Sequence, residues 1–411
     1  MFICLCLLLC QSCIHDSECG RNNRTVIIFM EANNNLASDA RANLDDLLEK
    51  ANNKSLMENG RLLVFLNSYN GSQRLYEITA PSKSNKHSDT TLIKSYDYIT
   101  PLSKGPFHQI VSDAIKTADA KEYVLVLWSH STGWFPKSIS ITEESRQAFA
   151  PGIDKVAAAN DEEEWPLGTK GFGRDGNYQI SYRDIGLALE GLGINLVMID
   201  ACFGAGIETL YDLRRSCDYV LASPIEIIAF GYPYLDIMDF LFDENLSVGG
   251  LAQAVGLTYM DFYRNLTYGG KAYPYAAISL VDMSQIDSLA TISRQILTKY
   301  KDVSIDHSQI QGLENRRQSI FFDFHDYMQH VCAADSQDIF TTFAEQFERC
   351  VAYHDHTDYL YSNLSGRSIR ALEHCEGLSC YIPWPDNTSD YFELCNEAYY
   401  QTDWARYIYK D

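Results

Sequence analysis

The length, composition and charge of the chain exclude several classes of protein. Its 411 residues are 46% hydrophobic and 21% charged, which is ordinary for a globular protein with a large core and argues against wholesale disorder. The formal net charge of −22 disfavours binding to nucleic acid, or to anionic lipid through basic patches, because an acidic surface repels phosphate groups.

The amino terminus has the pattern of an export signal. An apolar run, MFICLCLLLC, occupies residues 1–10; it is too short to span a bilayer and fits the core of a signal peptide. Ser12 and Cys13 follow, and a small residue directly before a cysteine resembles a bacterial lipoprotein signal. No Lys or Arg precedes the apolar run, and a buried amino-terminal strand is the alternative. We expect residues 1–24 to be a signal peptide and polar tether, cleaved before a lipidated Cys13.

Alternating strands and helices predict an α/β domain over residues 25–245. Apolar runs bounded by turn residues predict strands at 26–30, 61–67, 73–79, 123–128, 194–199 and 218–222. Segment 73–79 is expected at an edge of the sheet. Amphipathic periodicity predicts helices at 108–120, at 206–216 and at 38–50, the last capped by Ser38. This order is typical of a mostly parallel sheet with helices on both faces.

Residues 135–170 lack sustained periodicity and are predicted to form a long loop. The segment contains Pro136, Pro151 and a run of acidic residues at 161–164. The acidic run is best explained as a solvated face, with calcium binding as the alternative.

Residues 246–411 are predicted to form a carboxyl-terminal helical and mixed α/β region packed on the first domain. Helices are predicted at 251–265, 285–300 (capped by Ser284), 321–331, 341–353 and 391–409, and strands at 275–281 and 378–383. No transmembrane segment is expected after the signal.

The remaining cysteines and histidines do not predict a metal site. His325, His330, His354 and His356 lack convergent carboxylates or cysteines at known ligand spacing, and no CxxC pair is present after the predicted signal peptide. In an exported protein some of the last five cysteines could form disulfides, with a connectivity that the sequence does not define; they are Cys332, Cys350, Cys375, Cys380 and Cys395.

A cysteine and a histidine follow two of the predicted buried strands. Cys202 comes after the strand that ends at Asp200, ahead of a helix whose N-terminus would favour the thiolate. His130 follows strand 123–128. Taken alone, Cys202 could be a small buried hydrophobic residue, and His130 a hydrogen-bonded structural histidine. Parallel strands would bring both to one sheet edge, and this favours a nucleophile and base.

Several segments, in order, are similar to those of one family. FMEANNNLASDARANLDDL is similar to its Asn-Asn-Leu turn and following helix, LVLWSHSTGW to its histidine strand and MIDACFGAGIETLYDL to its cysteine strand and helix. Segment 219–234 is similar to its next strand and pocket loop. AAISLVDMSQIDSL, FDFHDY, GLSCYIP and QTDWARYI resemble its carboxyl-terminal part. On these residues the chain resembles the clostripain family of cysteine peptidases, related in core fold to caspases, gingipains and legumain.

The resemblance implies a mechanism. Cys202 would attack a peptide carbonyl, and His130 would protonate the leaving amine and then activate water. The backbone N–H groups of Cys202 and Ser131 would hold the oxyanion. Ser131 stands where the family usually has glycine, and Ser129 where an acidic residue is common. A catalytically silent relative and a transpeptidase or ligase with the same acyl-enzyme are the alternatives.

The resemblance also implies a specificity. Relatives mostly cleave after Arg or Lys, so we expect protein or peptide substrates with basic residues. Asp200 is the first candidate for the pocket carboxylate, and Glu226 is the second. The alternative for Asp200 is that it only forms the turn at the end of its strand.

The resemblance also implies proteolytic processing, and the amino-terminal signal implies the location. Family members are often zymogens cut between the histidine and cysteine segments, where the predicted loop offers Lys137, Arg146, Lys155 and Lys170. We expect a monomer that requires no cofactor, with a calcium response as an option, exported and lipid-anchored in the bacterial cell envelope.

Overall fold

The computed structural model describes residues 22–58, 60–68, 70–97, 99–135, 171–176, 178–316, 318–333, 338–363, 368–385 and 388–409. The predicted signal peptide, most of its tether, and the predicted loop from residue 136 onward lie outside the described residues.

The strands are formed by short apolar or alternating runs. In chain order they are β1 (Asn22–Glu31), β2 (Gly60–Asn67), β3 (Gln73–Thr79), β4 (Asp89–Tyr96), β5 (Ala120–Trp128), β6 (Phe172–Asp175), β7 (Tyr178–Ile180), β8 (Leu196–Asp200), β9 (Tyr219–Ala222), β10 (Thr267–Tyr268), β11 (Lys271–Ala272), β12 (Ala277–Asp282), β13 (Phe322–Asp323), β14 (Val351–His356), β15 (Tyr359–Ser362), β16 (Ser368–Ala371) and β17 (Ser379–Cys380).

The α-helices present amphipathic faces to the sheet or to one another. They are α1 (Ala37–Ala51), α2 (Lys104–Thr117), α3 (Tyr182–Leu189), α4 (Ile207–Leu213), α5 (Tyr234–Leu241), α6 (Val248–Asn265), α7 (Ile286–Lys299), α8 (Phe324–Cys332), α9 (Asp338–Cys350), α10 (Asp390–Tyr399) and α11 (Asp403–Ile408).

Within the described residues, nine strands form one sheet in the order β14-β12-β9-β8-β5-β1-β2-β3-β4. The central strands β2, β1, β5, β8 and β9 are parallel, whereas the outer strands pair antiparallel with their neighbours. Trp128 of β5 pairs with Asp200 of β8. His130 and Cys202 each come two residues after this pair. They therefore leave neighbouring strands, about 4.8 Å apart, at the same edge of the sheet.

Apolar side chains cover both faces of the sheet. On β1, Val26, Ile28 and Met30 belong to the core packed by α1, α5 and α6, while Ile27 and Phe29 belong to the opposite core, which includes α2, α3, α4 and α7. Each of these five side chains is fully buried, and such burial contributes about 1.5–3 kcal/mol per side chain. The predicted fold class, a mostly parallel α/β sheet with helices on both faces, is confirmed.

Some predicted boundaries and caps are wrong. α1 begins at Ala37 with no side-chain cap, so Ser38 is not its cap. Ser284 is not a cap either, since its N–H donates to the side chain of Asp282 in a short 3₁₀ turn. β3 is not an edge strand, because β4 pairs with its outer side. The helix predicted to reach residue 353 ends at Cys350, and β14 follows it directly.

Other differences concern the ends of the predicted domains and the cysteines. Residues 22–24, predicted as tether, belong to β1, and Arg24 is 4% exposed with its guanidinium 2.6 Å from the Glu122 carboxylate. The sheet continues across residue 245, because β12 and β14 join it through β9. Disulfides, which the sequence left as an option, are not formed between the seven cysteines of the described residues.

Candidate active site

The loop that carries Cys202 leaves β8 in a strained conformation. Phe203, the next residue, has a φ of +55°, which is uncommon for a residue with a side chain. Its ring stacks on that of Phe321 with the centroids 3.9 Å apart, and its N–H donates to the Ile225 carbonyl at 3.0 Å. These contacts hold the turn that presents Cys202 at the sheet edge.

The thiol of Cys202 lies beside the loop that follows β9. The Ile227 N–H donates to Sγ at 3.4 Å, and Sγ is 3.6 Å from the Ile227 carbonyl oxygen. Burial, and next the charge of Glu226, raise the pKa of Cys202 to about 12. A helix N-terminus was expected to favour the thiolate. In the free protein that expectation is wrong, because α4 begins only at Ile207 and burial dominates the pKa of Cys202.

His130 is held in place by the segment that includes β6. Its carbonyl accepts the Gly173 N–H at 2.9 Å, and the Thr132 N–H donates to the Gly171 carbonyl at 3.2 Å. The side chain is 8% exposed. Burial, and next the charge of Arg174, lower the pKa of His130 to about 4. The imidazole is therefore neutral at pH 7.

Asn35 contacts the histidine directly, which sequence reasoning missed. Its Oδ1 lies 2.7 Å from His130 Nε2. Because Oδ1 can only accept, Nε2 carries the proton and Nδ1 has the lone pair. In the same turn, the Asn33 amide donates to the Asp175 carboxylate at 2.8 Å. The sequence contained one signal for this contact: the Asn-rich turn directly follows β1, a strand that neighbours β5.

The serines on either side of His130 fit without backbone strain. Ser131 has a negative φ, so the conformational freedom of glycine is not needed there. Its hydroxyl accepts the Gly133 N–H at 3.1 Å and lies 3.0 Å from the Tyr182 hydroxyl. The Ser129 hydroxyl donates to the Glu31 carbonyl at 2.8 Å.

The histidine and cysteine loops touch at Gly133. This residue has a φ of +58°, and a Cβ built on it would lie 2.8 Å from the Phe203 carbonyl oxygen. Any side chain would have both an unfavourable φ and a backbone clash. Glycine therefore permits the close approach of the two loops that carry His130 and Cys202.

Asp200 is buried beneath the loop that follows β9. Its side chain is 5% exposed, and one oxygen, Oδ2, accepts from the Tyr234 hydroxyl at 2.9 Å and the Tyr232 N–H at 3.2 Å. A Cβ on Gly231 would lie 2.8 Å from its other oxygen, Oδ1. Burial raises the pKa of Asp200 to about 7, although both hydrogen bonds oppose that rise.

Glu226 connects the same loop to β15. Its carboxylate accepts from the Ser362 hydroxyl at 2.8 Å and from the Asn363 N–H at 3.0 and 2.9 Å. The side chain is 8% exposed. Its charge is also the second cause of the raised Cys202 pKa.

One cavity of about 620 Å³ joins most of the predicted site residues. Cys202, His130, Asp200 and Glu226 line it together with Asn35. Ser131, which is 3% exposed, is absent from the lining, so the structure does not bring it to the cavity wall with the other predicted site residues. Cys13 lies outside the described residues.

No metal centre or membrane span is found in the described part of the chain. Its His, Cys, Asp and Glu side chains form no group of three or more that could hold a metal ion. None of its helices is long and apolar enough to cross a bilayer.

A mostly parallel α/β sheet with a cysteine and a histidine at neighbouring strand ends, facing one cavity, fits the class of cysteine peptidases. The family model described as the clostripain family matches residues 156–410. Because this match covers more than half of the chain, the chain belongs to the clostripain family.

Solved structures agree in fold. The secreted C11 cysteine protease "iotapain" from Bacteroides thetaiotaomicron is 23% identical, with a TM-score of 0.74 over 95% of this chain and 100% of that one. A secreted C11 protease from the same organism, in complex with an irreversible peptide inhibitor, is 21% identical (TM-score 0.73; 95% and 100% covered). An inactive zymogen C11 protease from Parabacteroides distasonis is 22% identical (TM-score 0.73; 95% and 99% covered). No curated protein matches the chain.

Proposed function

We propose that the protein is a cysteine endopeptidase in which Cys202 is the nucleophile and His130 the general acid and base. The observation that carries the proposal is that both side chains line one cavity from the ends of adjacent parallel strands, with Trp128 and Asp200 paired just before them. Membership of the clostripain family supports it.

The protonation states of the free protein define the starting point. The pKa of Cys202 is raised to about 12 and that of His130 is lowered to about 4, so both groups are neutral at pH 7. His130 Nδ1 takes the thiol proton as Sγ attacks the substrate carbonyl carbon, and the carbonyl π electrons move to oxygen. The tetrahedral intermediate collapses as the C–N bond breaks, and the Nδ1 proton goes to the leaving amine. Water, deprotonated by His130, then hydrolyses the thioester and the proton returns to sulfur.

The developing oxyanion needs hydrogen-bond donors. The backbone N–H groups of Cys202 and Ser131 are the candidates, and in this role they stabilise the transition state more than the ground state. The ordinary backbone φ of Ser131 supports its fitness in place of glycine.

Substrates are expected to carry Arg or Lys on the acyl side of the scissile bond. Asp200 is the proposed pocket anion and Glu226 a second acidic group in the same cavity. A guanidinium or ammonium close to Asp200 favours its charged form and thereby lowers its pKa from about 7.

Processing, location and assembly follow the same proposal. The intact chain is a zymogen that cuts itself between residues 135 and 170, after one of the basic residues Lys137, Arg146, Lys155 and Lys170. The protein is exported, anchored through a lipid on Cys13, monomeric and active without a required cofactor. A calcium response would act through the acidic residues 161–164.

The test uses fluorogenic peptides that end in Arg, Lys, Asp or Asn, with wild-type protein, Cys202→Ala and Cys217→Ala. Cys217 is also a partly buried free thiol but does not line the cavity. Cleavage after Arg or Lys that disappears only in Cys202→Ala supports the proposal. Cleavage after Asp or Asn would keep the mechanism and contradict the specificity.

Absence of cleavage, even after another protease has cut between residues 136 and 170, would favour a catalytically silent binding protein. A transpeptidase is recognised separately, because an added amine would then appear joined to the acyl half of the product.

A further inference from the structure

The strand order determines which groups lie on either side of Cys202. On one side, β5 carries His130 at its end. On the other side, β9, β12 and β14 follow in that order. At the same sheet edge, β9 leads into loop 226–231, Tyr275 precedes the start of β12, and Tyr361 follows the end of β14. The cavity therefore extends along the sheet edge from the histidine to the outer strands.

Aromatic side chains line the cavity on the side of the outer strands. We call Phe230, Tyr273, Tyr275 and Tyr361 the aromatic wall. Successive ring centroids are 6.4, 6.4 and 6.2 Å apart. The four residues come from three separate chain segments, so the row of rings is a product of the fold.

These rings are not part of a closed core. All four are partly exposed, and Ile369, which also lines the cavity, is 41% exposed. Exposed apolar surface that is contiguous and concave is characteristic of a ligand-binding site. Here the surface is continuous with the cavity that contains Cys202.

The chemistry of the dyad orients a substrate in this cavity. His130 must face the leaving amine in order to protonate it. The residues after the scissile bond therefore extend toward β5 and β1. The acyl half of the peptide, which precedes the bond, extends over loop 226–231 toward the aromatic wall.

The spacing of the strands gives the position of the aromatic wall along a bound peptide. β12 is the second strand from β8 and β14 the third, which places their ends about 10 and 14 Å from the end of β8 at about 4.8 Å per strand. An extended peptide advances about 3.3 Å per residue. The wall is thus reached roughly three or four residues before the scissile bond.

We propose that the aromatic wall is a second specificity subsite, which binds an aromatic or long aliphatic side chain at the third or fourth residue before the scissile bond. The inference rests on the proposed peptidase function and narrows its substrates. They are extended segments with an apolar residue upstream of the basic one. A peptide that has the basic residue but no upstream apolar residue is therefore a poor substrate.

Binding tests the proposal apart from cleavage. Fluorescently labelled six-residue peptides with Arg at the fourth position are titrated against the Cys202→Ala protein, intact and after a cut between residues 136 and 170. They differ in Phe or Ala at the first and second positions, and a further peptide carries Phe only after Arg. We expect upstream Phe to tighten binding about tenfold, the effect of burying one aromatic side chain.

The wall variants Tyr275→Ala and Tyr361→Ala, each combined with Cys202→Ala, should bring the affinity ratio of the Phe and Ala peptides to about 1. Tyr359→Ala is the matched control, a tyrosine of the same strand β15 that is 48% exposed and does not line the cavity. Melting curves establish that each variant is folded, and two wall positions keep the test valid if one variant unfolds.

Equal affinity for the Phe and Ala peptides, a stronger effect of Phe placed after Arg, or no binding to intact and cut protein would each overturn the subsite. Peptides that bind with the expected preference but are not cleaved by the wild-type protein would support the subsite and contradict the peptidase.

Discussion

Asn35 Oδ1 lies 2.7 Å from Nε2 of His130 and connects the turn after β1 to the histidine at the end of β5. The bond places the imidazole proton on Nε2 and so leaves Nδ1 as the acceptor for the thiol proton. It also limits rotation of a ring whose low pKa favours the neutral form. Asn35 is therefore a positioning residue for the proposed chemistry.

Substituting Asn35 tests this relationship. Asn35→Ala should lower kcat by about 10- to 100-fold with little change in KM, because the neutral ring loses its fixed tautomer and orientation. Asn35→Asp should raise the pKa of His130 above its value of about 4, since a carboxylate favours the imidazolium. The pH dependence of kcat/KM and the histidine NMR shifts measure both effects.

The control for Asn35 is Asn33→Ala, in the same turn, whose side chain contacts Asp175 instead of the histidine. If both alanine variants lose the same activity and the Asp variant leaves the His130 titration unchanged, Asn35 has only a structural role in the turn.

Under the proposed specificity, Asp200 should make recognition of a basic residue dependent on pH. Its pKa of about 7 lies above the ordinary 3.8, so its charged fraction grows as the pH rises through 7. The ratio of kcat/KM for an Arg peptide to that for the isosteric, uncharged citrulline peptide should therefore increase from pH 6 to 8. The ratio cancels the titration of Cys202 and His130, which act on both substrates.

Asp200→Asn should reduce kcat/KM for the Arg peptide about 100-fold, since the partner of a buried charge pair is lost, and should affect citrulline far less. Glu226→Gln measures how much Glu226 contributes to the preference for the Arg peptide over the citrulline peptide. A ratio that stays flat with pH and survives in Asp200→Asn would assign the basic preference to another group.

Gly133 tests whether the contact between the two loops matters. Gly133→Ala combines a φ of +58° with a Cβ 2.8 Å from the Phe203 carbonyl oxygen, so it should lower both stability and kcat. Gly176→Ala is a matched control, because Gly176 has a φ of +55° but no heavy atom within 4 Å of a built Cβ. It should cost only the strain of the left-handed conformation, about 1–2 kcal/mol.

Unfolding in urea and peptide hydrolysis by the folded variants provide the two readouts. Equal losses of stability in Gly133→Ala and Gly176→Ala, with kcat unchanged in both, would mean that the loops tolerate separation.

The strands that carry the dyad were predictable because buried parallel strands read as continuous apolar runs. The outer strand β14 was not, because its residues Val351–His356 are mostly polar and follow an amphipathic helix without a break in the pattern. The thiol pKa could not be inferred either. It depends on burial and on Glu226, which a loop brings close to Cys202 only in the folded sheet.

Buried acids should make the folded protein less stable as the pH rises above neutrality. Among the described residues, burial raises the pKa of Glu31 and Glu208 to about 8 and of Asp200, Glu314 and Asp323 to about 7. Between pH 6.5 and 8 the folded state therefore binds more protons than the unfolded state, and the free energy of unfolding falls with pH. The lowered pKa values of His130, His307 and His325 act in the opposite direction, but below about pH 6.5.

Glu208→Gln isolates one of these groups, because glutamine keeps an oxygen for the Tyr381 N–H, which donates to Glu208 Oε1 at 2.8 Å. Removing one titrating group should flatten the slope of unfolding free energy against pH by about 1 kcal/mol per pH unit. Glu397→Gln, on the exposed side of α10, should leave the slope unchanged. Urea titrations at pH 6.5, 7.25 and 8 decide the matter: identical slopes in the two variants would mean that Glu208 is already ionised in the folded protein at pH 6.5.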